Sequence, residues 1–185
     1  MNPVNIRPFF ILWYTQRMVR ITIVDKNDNV IGSEERDTVR EKGLIHRIVR
    51  IFVLDGEGKV LLHKRNEQLK DNPGKWDQSA GGHVDEGEDY LIAAKRETSE
   101  ELGIKIDDFI SLGKFYIERP APGGTVRRFQ TVYKCKWDNP VKYDKSEIAE
   151  IKWFTIKEVD DWLKASPENF TKNFASAFSL LKQTL

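Results

Sequence analysis

From Gly82 to Ile104 the chain reads GHVDEGEDYLIAAKRETSEELGI, and its polar residues keep a fixed spacing: Gly82, Glu88, Arg96-Glu97, Glu100-Glu101 and Gly103. At about 100° per residue, Leu91, Ala94, Thr98 and Leu102 fall on one helical stripe suited to burial. Glu97, Glu100 and Glu101 lie within an arc of roughly 100° beside that stripe. Like charges three or four residues apart weaken a helix by about a few tenths of a kcal/mol, so three carboxylates on one edge call for a cation. Hard oxygen ligands suit Mg²⁺ or Mn²⁺. Mg²⁺ binds one or two carboxylates and completes its shell with water and substrate phosphates. The expected cofactor is therefore Mg²⁺ or Mn²⁺, and the expected partner is a small phosphorylated molecule.

The elements that must position these groups follow from the flanking pattern. Ala80-Gly81-Gly82 is expected to form a tight loop whose backbone comes close to ligand or metal, with the Gly81 carbonyl as a further oxygen ligand. Gly103 stops the helix, which is expected over Glu88 to Leu102. Ile21–Val24 and Val30–Ile31 predict a hairpin around a polar turn, and Glu34–Lys42 a short charged helix or loop. Ile48–Leu54 is almost continuously apolar, as in a buried strand, and turns at Asp55–Gly58 into Val60–His63. Leu112–Glu118 and Arg127–Trp137 read as strands around a Pro120–Gly124 loop, followed by a strand at Ile151–Thr155 and helices at Lys157–Ala165 and Asn169–Leu181. Strands interleaved with a few helices predict an α/β chain with a mixed sheet covered on both faces.

The 82–104 segment resembles the Nudix box, G-x5-E-x7-R-E-U-x-E-E-x-G-U with U a bulky aliphatic residue, at every fixed position, with Thr98 at one U position. The resemblance extends from about Leu44 to Leu163. It implies an α/β/α sandwich with the mixed β-sheet between helices. It also implies that Glu97 and Glu101 are the principal metal ligands, that Glu100 and the Gly81 carbonyl assist, that Arg96 orients a box carboxylate, and that Glu88 supports the junction before the helix. Many family members carry a further metal-binding or water-activating glutamate near SEIAEIKWF, which makes Glu147 the first candidate there and Glu150 the second.

The implied activity is divalent-metal-dependent hydrolysis of the pyrophosphate linkage in a nucleoside diphosphate derivative or related organic diphosphate. Glu97, Glu100 and Glu147 all remain open as the proton acceptor. Arg65 and Arg128 are the candidate phosphate clamps, because a guanidinium fork matches phosphate oxygens. Trp76, Tyr116 and Phe129 are the candidates for stacking on a base.

The rival reading comes from His46-Arg47, Lys64-Arg65, Pro73–Trp76 and Gly82-His83, which resemble the isopentenyl-diphosphate isomerase branch of the same superfamily. There, histidines matching His46 and His83 bind metal, and a cysteine just before the box moves protons at carbon. Here Gly81 stands at the cysteine position, and Arg127–Trp137 lacks the isomerase's glutamate pair. A non-catalytic nucleotide-binding module is the third alternative, against which the complete carboxylate set argues.

Composition bounds the rest. A chain of 185 residues suits one domain, expected over residues 18–185, with residues 1–17 as an accessory extension. Thirty Lys and Arg against 29 Asp and Glu leave no field for bulk nucleic acid. Cys135 is the single cysteine, in keeping with a cytoplasmic setting. No apolar run approaches the roughly 20 residues of a membrane span. A homodimer is compatible with all of this.

Overall fold

The computed structural model describes residues 19–121 and 124–185, so the expected extension at 1–17 lies outside the described residues. The first described elements are β1 (Arg20–Val24) and β2 (Val30–Glu35), an antiparallel hairpin. In its turn Asp28 adopts a left-handed φ of 65°, which Asp tolerates better than most residues. Helix α1 (Arg36–Lys42) follows and ends on Gly43 at φ 60°.

β3 (Ile45–Leu54) organises the sheet. One flank pairs in parallel with β8 (Gly124–Lys136) along its whole length, from Ile45↔Arg127 to Leu54↔Lys136. Three short partners share the other flank. Ile23 of β1 meets His46, β6 (Ala80–His83) covers Ile48 to Ile51, and β4 (Val60–Arg65) takes Val53 and Leu54. Beyond β4 lie β5 (Trp76–Asp77) and β9 (Ile148–Phe154), and β7 (Ile110–Ala121) flanks β8.

The Ala80–Gly82 segment, expected as a loop, is therefore a strand. Its glycines carry little strand propensity, but the buried backbone of β3 needs hydrogen-bond partners between β1 and β4, and β6 supplies them. The expected Pro120–Gly124 loop is also shorter, since β7 and β8 run on to Ala121 and Gly124.

Alternation along β3 divides the core. Val49, Ile51 and Val53 pack with Ala93, Ala94 and Leu102 of α2 (Tyr90–Leu102) on one face. Phe52 and Leu54 pack on the other face with Val159 of α3 (Ile156–Ala165) and with Phe174 and Phe178 of α4 (Phe174–Lys182). Each of these fully buried phenylalanines contributes about 2–3 kcal/mol of burial. The architecture is a mixed sheet between helical layers. Thr155, expected to end a strand, instead caps α3 through a reciprocal bond with Glu158.

The box helix begins at Tyr90, two residues later than expected, because Asp89 caps it by accepting the Ile92 N–H at 2.7 Å. Its rotation also differs. Leu91 is 38% exposed, and the buried face is Ala93, Ala94, Thr98, Glu101 and Leu102. The small side chains of Ala93 and Ala94 let the helix sit close on the sheet, and that brings Glu101 inward.

Asp28 ties the hairpin to the rest. Its carboxylate accepts from Arg47 Nε at 2.7 Å on β3, from Tyr90 Oη at 3.0 Å on α2, and from Lys114 Nζ on β7. Burial raises its carboxyl, but the bonds from Lys114 and Arg47 outweigh burial and hold it below the ordinary value of 3.8. A lowered folded value means stabilisation that is complete above 3.8 and lost as pH falls through the folded value. Asp28→Ala is expected to cost about 3–5 kcal/mol, read by urea unfolding, because it strands the largely buried Arg47 and leaves Tyr90 Oη without its acceptor. Asp28→Asn should flatten the acid limb of the stability curve below pH 4, and an unchanged limb would show that this cluster is not its source.

Candidate active site

The close approach of α2 to β6 builds one wall. A Cβ on Gly82 would lie 2.0 Å from Glu97 Oε1, and one on Gly81 would lie 2.6 Å from the Val49 carbonyl oxygen. Only glycine leaves room for the Glu97 carboxylate against the strand. Glu101, one turn further, is 7% exposed, and its Oε2 accepts the Gly81 N–H at 3.3 Å.

Arg96 distributes its donors around this wall. Nε and Nη2 grip Glu88 at 2.8 and 2.9 Å, Nη2 also reaches the His83 carbonyl at 2.9 Å, and Nη1 donates to Glu97 Oε1 at 2.8 Å and Glu100 Oε2 at 3.1 Å. One guanidinium thus ties the loop before α2, strand β6 and two box carboxylates together. Glu88 also accepts the Asp85 N–H at 3.1 Å. Its carboxyl is raised by burial, but Arg96 and that N–H leave it below the ordinary range.

Burial pushes the Glu97 carboxyl up to about 7 in spite of Arg96, with Glu100 and Glu147 adding repulsion. Glu101 is pushed well up by burial, then by Glu97 and Glu147. Among the described residues no lysine or arginine pairs with Glu101.

Gly81, Arg96, Glu97, Glu100, Glu101, Glu147, Arg65 and Arg128 all line one cavity of about 460 Å³. Glu147 sits in the turn before β9, while Glu150 lies on β9 opposite Lys64 and does not line the cavity. The wall facing the glutamates is rich in arginine. Arg128 is half-buried on β8, and Arg65 donates Nε to the Asp71 carbonyl at 3.0 Å. Sequence reasoning missed Arg36, Arg40 and Arg119, and did not place Arg50 here. Arg36 and Arg40 stand four apart on α1, a spacing that could have drawn attention to one helical face. Arg119 carries no such signal, because only the β7–β8 register brings it in.

The other candidates lie elsewhere. Trp76 packs edge-on to Phe154 and Trp162 at 5.5 Å in the core, and Tyr116 pairs with Phe129 at 5.0 Å; none of the three lines the cavity. Cys135 is buried in the α2-side core, where burial pushes its thiol up to about 12. His83 is the exception: it lines the cavity and stacks on His46 at 5.3 Å. Burial, with Arg128 and Arg36, holds His46 down to about 4, and burial then Arg36 and His46 hold His83 well below its ordinary value.

Among the described residues no three His, Cys, Asp or Glu side chains are gathered into a closed ligand set. The donor chemistry still fits a hard divalent cation, since two buried carboxylates face each other and Glu101 has no cationic partner. Such a wall is costly without one. In chelator at pH 8, Glu101→Gln is therefore expected to stabilise the fold by about 1–3 kcal/mol. That corresponds to a Tm rise of about 2–12 °C in calorimetry. A lower Tm would mean that the carboxylate is already compensated.

A family model described as NUDIX domain matches residues 44–174. An uncharacterised Nudix hydrolase of Yersinia pestis is 37% identical over 160 residues, covering 86% of this chain and 84% of that protein. An isopentenyl-diphosphate Delta-isomerase of Serratia proteamaculans is 31% identical over 152 residues, covering 82% and 84%. The crystal structure of DR0079 from Deinococcus radiodurans superposes with a TM-score of 0.73 at 26% identity, over 86% of this chain and 97% of that one.

Proposed function

Since this chain belongs to the NUDIX family, a Nudix hydrolase by its relatives, we propose that it hydrolyses the anhydride linkage of an organic diphosphate, a nucleoside diphosphate derivative being one such substrate. The observation that carries the reading is one cavity with buried carboxylates Glu97 and Glu101 on one wall and arginines, including Arg65 and Arg128, on the other. Mg²⁺ or Mn²⁺ held by Glu97 and Glu101, with Glu100 and the Gly81 carbonyl beside them, would acidify water and neutralise phosphate charge.

The chain's own residues supply position and proton transfer. Arg96 fixes Glu97 and Glu100 in place. Arg65 and Arg128 hold the diphosphate oxygens and offset the charge that grows on the leaving phosphate. Water attacks phosphorus, the bond from phosphorus to the bridging oxygen breaks, and the water's proton passes to a carboxylate.

Glu147 suits that last role. Arg96 holds Glu97 and Glu100, and the Gly81 N–H holds Glu101, whereas the Glu147 side chain lines the cavity with no hydrogen bond or ion pair among the described residues. Its carboxylate is free to accept a proton.

The isomerase-like relative makes isomerisation the second reading. Moving a double bond needs an acid and a base at carbon. Gly81 has no side chain, the Cys135 thiol is buried away from the cavity, and β8 presents Arg128 to it. These observations favour hydrolysis. The reduced single cysteine fits a cytosolic setting, and no helix among the described residues is long and apolar enough to cross a membrane.

A panel of nucleotide sugars, dinucleoside polyphosphates, nucleoside triphosphates and isopentenyl diphosphate, assayed with Mg²⁺ and Mn²⁺, tests the reading by product. Phosphorylated fragments are expected, and isomerised isopentenyl diphosphate would overturn it. Glu147→Gln should lower kcat by about 10²- to 10⁴-fold with metal affinity kept, whereas Glu101→Gln should lose both. Gly82→Ala should displace Glu97 and cost about 10²-fold in kcat/KM.

A further inference from the structure

Six arginines besides Arg96 line the cavity, and two of them meet a carboxylate: Arg40 with Asp71 at 2.5 Å and Arg50 with Asp77 at 3.0 Å. The other four have no carboxylate partner among the described residues. Arg65 bonds only to a backbone carbonyl. Arg119 reaches the Pro120 carbonyl with Nη1 at 3.4 Å and leaves Nε buried without a partner. Among the described residues Arg128 makes no hydrogen bond or ion pair, and its Nε is equally buried and unpartnered there. Arg36 opens α1, is exposed, and is likewise unpaired.

Burying an unpaired guanidinium costs free energy, and placing several together adds repulsion. That repulsion is visible at Arg128, held down to about 9 by burial and then by Arg50 and Arg119. Such an arrangement is stable in use only when an anion fills it. A diphosphate substituted at both ends carries about two negative charges, so two arginine forks suffice to match it. Four unmatched arginines leave room for a second anion.

We propose that Arg36 and Arg119 form an anion subsite beside the scissile diphosphate held by Arg65 and Arg128, so that the preferred substrate carries a further phosphate group. The proposal rests on the hydrolase reading for its link to turnover, but anion binding by the subsite does not. The extra phosphate would be held by forks from α1 and β7, remote parts of the chain that both line the cavity, Arg119 being brought there by the β7–β8 register. It sets specificity by charge and distance.

Two measurements on the full chain test this separately. In chelator, so that no divalent ion contributes, calorimetric titration with inorganic tripolyphosphate should show binding that Arg119→Met and Arg36→Met each weaken about tenfold or more. Lys157→Met, which removes an exposed cation on α3, should leave it within about twofold. Arg36 is exposed, so its variant keeps the test valid if Arg119→Met fails to fold. With metal, NADPH and NADH form a matched pair differing by one phosphate. The phosphorylated member should be hydrolysed with at least about a tenfold higher kcat/KM, and Arg36→Met or Arg119→Met should erase that preference while leaving NADH turnover in place. Arginine-dependent anion binding without turnover of any diphosphate would refute the hydrolase reading and leave the subsite standing. Turnover with no preference for the extra phosphate, or tripolyphosphate binding unchanged in both arginine variants, would overturn the subsite.

Discussion

The contact on which the site depends is the approach of α2 to β6, where the Glu97 carboxylate occupies the space that a side chain on Gly82 would need. Everything at the carboxylate wall follows from it. The small residues Ala93 and Ala94 let the helix lie close to the sheet, the glycines let the strand receive it, and Arg96 then closes the joint by gripping Glu88, the His83 carbonyl and two glutamates at once. A helix one methyl group further out would leave Glu97 and Glu101 in solvent, where they would cost little and coordinate poorly.

The same sheet separates charge. β3 sends Val49, Ile51 and Val53 toward α2, and its alternate residues, with their β8 neighbours, toward the opposite face. Near α4 that second face is Phe52 and Val132. Further along it becomes Arg50 and Arg128. Negative groups therefore arrive from the helix and positive groups from the sheet, and the cavity lies where the two meet. A substrate with phosphate oxygens bridges the walls, while a carbon acid would find neither a thiol nor a free pair of glutamates on β8.

The box helix and most of the carboxylate wall were legible in the sequence because their residue identities stand at fixed spacing. Its rotation was not. A hydrophobic stripe counted from Leu91 leaves Glu101 at the side, but docking on glycines favours the alanine face and turns Glu101 inward. β6 was hidden for a related reason, since two glycines look like a loop until the unpaired backbone of β3 is taken into account. The arginine wall was only half visible. Arg65 and Arg128 stand near obvious strands, Arg36 offers only its spacing from Arg40 on α1, and Arg119 matters because of register, which no local pattern specifies.

What the two walls share is incompleteness. A protein selected for stability alone would pair Glu101 with a cation and Arg128 with a carboxylate, as it pairs Arg47 with Asp28 elsewhere in the same sheet. Leaving both unmatched on opposite sides of one cavity lowers stability by about a few kcal/mol. On the proposed reading that deficit is where ligands would sit, a hard cation on the helix side and more than one phosphate on the sheet side. The pattern of unsatisfied charge would then bear on the substrate more closely than the box does, because the box accounts for the carboxylates alone and says nothing of the arginines in the same cavity.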